Sequence, residues 1–274
     1  MTEDFIEQLK INNINQDLNN LNQIFLHDKR YIRDFLKYAK LKEEDIILEI
    51  GPGMGQITKE IAKKVKKVIA VEIDTQFKPI LNKMPENVDV IYGDAKKYLK
   101  DLIKNNSYAF NKIVSSPPYN LCEPLLRLLM RVEFDMVLMI TPVYFYNNMN
   151  NNLIFSSFYY IKKIDTIPKT AFTPIPRIDS EIIQIEKRAS FEKDKDARAF
   201  LIRSLFIQED KKLKNALRST LIHFYELNNK TLTKNQARDI INSLDIPEKQ
   251  LEKNTQSVPL DIYEQITEKI TSQI

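Results

Sequence analysis

The chain of 274 residues has one cysteine, two histidines, four glycines and no tryptophan. A single thiol, Cys122, excludes an internal disulfide and suits a reducing compartment, so a cytoplasmic location is expected. Two histidines and one cysteine far apart leave too few soft ligands for a dedicated zinc site, and no metal is expected. No apolar run approaches the ~18 residues that a membrane span needs. The opening "MTEDFIEQLK" is acidic, where a secretory leader is basic and then apolar. Net charge is also scarce. Forty-one Lys and Arg stand against 37 Asp and Glu, a balance of +4. An anionic partner is therefore permitted but not demanded, and would have to be met by a local concentration of cations. A monomer is expected.

What is present alternates. "DIILEIG", "VIAVEID", "VDVIYGD", "FNKIVSS" and "FDMVLMIT" are short, apolar and β-branched, and read as buried strands. Between them "QITKEIAKKVKK" sets Ile57, Ile61 and Val65 four residues apart among lysines, and "EPLLRLLMRV" is also helical in pattern. The apolar positions from Phe25 to Leu41 fit a further helix. Such alternation predicts a parallel sheet covered on both faces. "IDSEIIQIEKR" (178–188) alternates apolar with polar and is expected to close the sheet as a late antiparallel strand. After Ser190 only helical patterns follow, in "AFLIRSLFIQEDKKLKNALRSTLIHFYEL" and "YEQITEKITSQI". The expected organisation is a Rossmann-like α/β domain over 1–188, with 1–22 as an N-terminal arm, and an all-helical C-terminal domain over 189–274.

Three of the four glycines, Gly51, Gly53 and Gly55, fall in "EIGPGMGQIT", where a strand gives way to a helix. An open α/β sheet binds nucleotide-like ligands at that place. Glu72 ends the next strand 21 residues beyond Gly51, where a carboxylate can accept from both ribose hydroxyls. A dinucleotide enzyme would have its third glycine at position 56, which is Gln56 here. The loop and its glutamate look like the S-adenosylmethionine site of class I methyltransferases. Asp94, in "GDA", sits where such enzymes hold the adenine amino group.

"KIVSSPPYNL" ends a strand on two adjacent prolines, which remove two backbone donors and fix φ twice. The corner Ser116-Pro117-Pro118-Tyr119 resembles the [Asn/Asp/Ser]-Pro-Pro-Tyr motif of methyltransferases that act on exocyclic amino groups of bases. An adenine amino nitrogen is a poor nucleophile because its lone pair is delocalised into the ring. Acceptors from the Ser116 side chain and the Pro117 carbonyl would favour a pyramidal nitrogen, and the Tyr119 ring offers a stacking face for a base drawn out of its helix.

From "NQIFLHD" through "EIGPGMGQIT", "VEID", "GDA", "SSPPYN" and "FTPIPRIDSEIIQI" the motif order resembles the ribosomal RNA adenine N6,N6-dimethyltransferases. "LFIQEDKKLKNAL" resembles that family's C-terminal helical segment. The resemblance implies a Rossmann-like class I methyltransferase sheet with S-adenosyl-L-methionine as cofactor. It implies that Ile24 and Leu26 border the cofactor and that Phe172 is the second aromatic wall of the base pocket. The implied substrate is two adjacent adenines near the 3′ end of small-subunit rRNA, and the implied partner the immature small ribosomal subunit. Two further readings share these motifs: a large-subunit rRNA methyltransferase of the resistance type, and a ribosome-assembly factor with weakened catalysis.

Departures from the family pattern are local. Asn22 and Ile24 replace a glycine and a polar residue, Ser116 stands where asparagine is usual, and "TPVYFYNNMNNNLIFSSFYY" carries neither of the family's motifs for that stretch. In "KKLKNALR", Lys211, Lys212, Lys214 and Arg218 surround an apolar stripe of Leu213, Leu217 and Leu221, a candidate phosphate-contacting face.

Overall fold

The computed structural model describes residues 23–272, with Glu7, Ile11 and Ile14. The expected arm over 1–22 otherwise lies outside the described residues. In chain order the strands are β1 (Phe25–Leu26), β2 (Ile46–Ile50), β3 (Lys67–Glu72), β4 (Val88–Tyr92), β5 (Lys112–Ser115), β6 (Met136–Pro142), β7 (Tyr159–Ile167), β8 (Phe172–Thr173) and β9 (Ser180–Lys187). Seven of them form one sheet in the order β4-β3-β2-β5-β6-β9-β7, while β1 and β8 pair with each other. The strands β4, β3, β2, β5 and β6 run parallel, and β9 is antiparallel to β6, as its alternation predicts.

The central strands read as unbroken apolar runs because both their faces are covered; β6 is buried along its whole length. Strand order reverses between β2 and β5, so their connections leave in opposite directions and open a crevice at their carboxyl ends. Ser115 Oγ donates to the Ile50 carbonyl at 2.6 Å and ties the two strands there. At the opposite ends of the same strands a buried polar knot does the same work. Lys112 Nζ lies 2.7 Å from Asp45 Oδ2, Asn111 Nδ2 donates to Asp45 Oδ1 at 2.8 Å, and the Lys42 N–H donates to Asp45 Oδ2 at 2.8 Å.

Two expectations need correction. The helix expected from Phe25 starts at Lys29, because Asp28 caps it by accepting from the Arg30 N–H, and Phe25–Leu26 is spent in β1. The nine-residue strand β7 has no counterpart in the expected element order. Its burial alternates poorly, with Lys162, Lys163 and Asp165 exposed, as suits an edge strand guarded by charge.

Residues 1–148 with 161–187 make one compact unit, and 149–160 with 188–274 make the other. The second unit thus takes in a segment that precedes β9. The helix Leu153–Phe158 packs on the helix Ala197–Phe206, with the Phe158 and Phe206 rings 6.0 Å apart. The same unit holds helices Leu213–Leu227, Lys234–Ser243 and Leu260–Thr271, around a cluster of Phe191, Phe200 and Phe224 with ring centres 5.2–5.6 Å apart. No helix among the described residues is long and apolar enough to cross a membrane.

Candidate active site

At the carboxyl ends of β2, β3 and β5 lies a cleft of about 240 Å³. One water needs only ~10–15 Å³, so the space is sized for a ligand. Gly51 leaves β2 with its N–H on the Val71 carbonyl at 2.9 Å. Gly53 and Gly55 then adopt left-handed φ of +54° and +72°. A Cβ on Gly53 would lie 2.6 Å from the Phe25 ring, and one on Gly55 would lie 2.1 Å from Met84 Cε. Gly53 is therefore favoured twice over, by its φ and by the Phe25 ring, and Gly55 by its φ, since the Met84 methyl can move aside.

The Glu72 carboxylate is 4% exposed and shapes this loop from below. Its Oε2 accepts from the Gly53 N–H at 2.9 Å and its Oε1 from the Asp74 N–H at 2.8 Å. Each oxygen keeps a lone pair for a ligand hydroxyl. Burial raises the Glu72 pKa above its ordinary value, only partly opposed by the bonds from Asp74 and Gly53. Ile73 follows it into the cleft with its side chain 55% exposed. Asp94 caps the helix Ala95–Asn105, Oδ1 accepting from the Lys96 N–H at 2.8 Å, and lines the cleft opposite.

Ser116 and Pro118 line the same cleft where β5 ends, with Pro117 buried between them. Tyr119 starts the next helix, and its hydroxyl lies 2.5 Å from Ser180 Oγ at the head of β9. That bond fixes the ring's orientation from the neighbouring strand.

The structure thus brings Ile24, Gly51, Gly53, Glu72, Asp94 and Ser116 to one cleft. Gly55 stands behind it as the cap of the helix Gln56–Ala62. Pro117 and Tyr119 adjoin the cleft through Ser116 and Pro118 without lining it, and two further expected residues lie in the core. Leu26 is 3% exposed and Phe172 is 1% exposed, both inside the core cluster with Ile32 and Phe35. They are register partners in the β1–β8 pair, which turns both side chains inward. The Phe172 ring is enclosed in this structure. Sequence reasoning also passed over Phe25, Ile73 and Lys96, which line the cleft. Phe25 carries a signal in retrospect, since a loop rich in glycine needs a bulky partner to close against.

In the second unit, Leu213, Leu217 and Leu221 are fully buried, as the stripe predicts. The lysines beside them are engaged. Lys212 Nζ is 2.7 Å from Glu252 Oε2, and Lys214 pairs with Glu252 Oε1. Bonds from Lys212 and Lys214 hold the Glu252 carboxyl down to about 2. A phosphate contacting Lys212 or Lys214 would compete with that carboxylate, while Lys211 and Arg218 on the same segment bond to Gln208 and Asn215.

A sequence model of the family described as ribosomal RNA adenine dimethylase matches residues 14–254. The chain is 32% identical over 213 residues to a probable ribosomal RNA small subunit methyltransferase A of Methanococcus maripaludis, covering 72% of this chain and 79% of that one. It is 30% identical over 246 residues to the ribosomal RNA small subunit methyltransferase A of Mesoplasma florum, covering 82% and 88%. Among solved structures, a dimethyladenosine transferase from Plasmodium falciparum superposes with a TM-score of 0.56 at 22% identity, over 91% of this chain and 98% of that one. At that identity the likeness speaks for the fold.

Proposed function

The chain belongs to the ribosomal RNA adenine dimethylase family, and we propose that its cleft positions S-adenosylmethionine against an adenine amino group presented by the Ser116–Tyr119 corner. The substrate on this reading is a pair of adjacent adenines near the 3′ end of small-subunit rRNA, met in the immature subunit. The two compact units are read as a catalytic domain and a helical domain. One observation carries the proposal. A buried carboxylate suited to a ribose and a rigid corner suited to an adenine amino group open into the same cleft.

The residues fit the cofactor. Glu72 retains acceptor capacity for two hydroxyls, Ile73 offers an apolar face beside it, and Asp94 offers a carboxylate across the cleft. When bound, S-adenosylmethionine supplies an electrophilic methyl group. The chain's own part is positional. Ser116 Oγ and the Pro117 carbonyl accept from the two amino N–H bonds, so the nitrogen's lone pair turns outward. The prolines hold both acceptors against a rigid strand end. Tyr119, tethered by Ser180, provides the face on which the base stacks.

Glu72→Ala weakens S-adenosylmethionine binding by about 1.5–3 kcal/mol, the worth of hydrogen bonds to a charged acceptor. Ribose hydroxyls need the ionised carboxylate, and burial raises its pKa. Wild-type affinity therefore falls on acidification from above the ordinary carboxylate range, and the variant's does not. Isothermal titration across pH measures both, and equal affinities at neutral pH would remove Glu72 from the site.

Mass spectrometry of nucleosides from small-subunit rRNA after a timed reaction tests the whole reading. Dimethyladenosine is the expected product. Ser116→Ala slows its formation roughly ten- to a hundredfold, equivalent to about 1–3 kcal/mol of barrier, and monomethyladenosine accumulates. A variant at wild-type rate would make the hydroxyl a bystander. A wild-type protein that binds cofactor yet methylates nothing would favour an assembly factor.

A further inference from the structure

The turn after β6 holds an aromatic ring in solvent. Tyr144 is 53% exposed, while the next residue, Phe145, is 5% exposed and packs inward. The turn itself is tightly bracketed. Pro142 is the register partner of Ser180, and the Val143 N–H donates to the Asp179 carbonyl at 3.2 Å. On the far side the Tyr146 N–H donates to Glu181 Oε1 at 2.5 Å. Glu181 is 1% exposed and has Lys163 Nζ 3.5 Å from its other oxygen, so this anchor is itself held. The brackets flank the head of β9, Asp179 just before it and Glu181 within it, and between them Ser180 holds the Tyr119 hydroxyl.

The fold therefore places Tyr144 on a fixed backbone beside the strand end that orients Tyr119. Burial, and to a smaller extent Cys122, Tyr144 and Asp179 in that order, push the Tyr119 pKa up against the Ser180 bond, so Tyr144 is among the groups near the Tyr119 hydroxyl. Ile175, 62% exposed in the corner leading into β9, adds apolar surface at the same edge. An exposed ring on a rigid turn contributes little to folding, because its area stays in water. It can stack on a base at small entropic cost, because the backbone beneath it is already fixed. The ring expected to do this, Phe172, is enclosed in the core.

We propose that Tyr144 is the second base-stacking residue of this enzyme, capturing the unpaired adenine as it is delivered to Ser116 and Tyr119. The inference rests on the reading of the protein as an rRNA adenine methyltransferase. It makes Tyr144 a substrate-capture residue with no part in holding the cofactor.

The experiment compares wild type, Tyr144→Ala and Tyr144→Phe in methylation of unmethylated small ribosomal subunits. S-adenosylmethionine affinity and melting temperature are measured alongside. Tyr144→Ala is expected to lower kcat/KM about five- to a hundredfold, the range for one lost base–aromatic stack, mostly through KM. Cofactor affinity and melting temperature stay at wild-type values. Tyr144→Phe keeps the ring and stays within about twofold of wild type, as stacking without the hydroxyl allows. Alanine at wild-type kcat/KM would overturn the proposal, and so would a phenylalanine variant as impaired as alanine. A loss matched by a lower melting temperature would assign Tyr144 a structural role instead. Failure of the wild type to methylate any adenine would defeat the functional reading first, and this inference with it.

Discussion

Asp45→Ala is expected to lower the unfolding free energy by about 3–5 kcal/mol, the cost of leaving a buried charge without its partner. Asp45 is 2% exposed, and the Lys112 side chain that faces it is 9% exposed. Removing the carboxylate strips the ammonium of its counter-charge and leaves it only the Lys40 carbonyl, 2.8 Å away. It also strands the Lys42 N–H and takes one of two acceptors from the Asn111 amide, which keeps Asp135 Oδ2 at 3.0 Å. Burial alone would raise the Asp45 pKa, but the bonds from Asn111, Lys112 and the Lys42 N–H outweigh it and hold the carboxyl below its ordinary value. The sign follows. A depressed folded pKa adds stability above the unfolded value of about 4, and that stability is lost as pH falls through the lower folded value. Urea unfolding at pH 7 and at pH 3 should therefore show a large gap between wild type and variant that narrows in acid. Replacing both partners by apolar residues of similar size (Asp45→Leu with Lys112→Met) should cost far less than the single change. A single-variant loss under about 1 kcal/mol at pH 7 would mean that water reaches Lys112 and repays the missing partner.

The parallel strands were legible because each is a short apolar run between breakers, and a strand buried on both faces needs nothing else to announce it. The glycine loop was legible for a related reason. Left-handed φ at positions 53 and 55, and the Phe25 ring close against position 53, favour glycine there. β7 escaped because an edge strand carries its charges on the face that would otherwise show an apolar signal. Leu26 and Phe172 were assigned to the ligand side although they are core residues. Which way they turn depends on a two-residue pairing across almost 150 positions of chain, and local periodicity contains no record of it. Tyr144 and Glu252 escaped for the same kind of reason. The brackets around Tyr144 lie at and just before the head of β9, and the carboxylate that meets Lys212 and Lys214 lies about 40 residues away from them. Residue type shows what a side chain can do, whereas exposure and partners are set by contacts distant in sequence.

Glu49 supplies the last test, in the strand that leads into the glycine loop. It is 2% exposed, and neither its Oε2 nor the neighbouring buried hydroxyl of Thr58 has a hydrogen-bond partner among the described residues. Burial first, and the negative charge of Glu72 with it, push the Glu49 carboxyl up to about 8 against the opposing influence of the adjacent Thr58 hydroxyl. A raised folded pKa means that the folded protein keeps this proton while the unfolded chain releases it near pH 4.3, so stability falls as pH rises between the two values. Each pH unit in that window costs about 1.4 kcal/mol, or about 4 kcal/mol from pH 5 to pH 8. Glu49→Gln has no proton to release and a similar shape, so this component of the pH dependence should vanish. The readout is the difference in unfolding free energy between variant and wild type, measured by denaturant titration at pH 5 and at pH 8. Taking the difference removes the contributions of shared groups that do not interact with Glu49. The variant should gain on wild type steadily over the interval and level off above pH 8. Parallel curves would show that Glu49 ionises with its proton released to water, and that the space beneath the glycine loop is wetter than its burial implies.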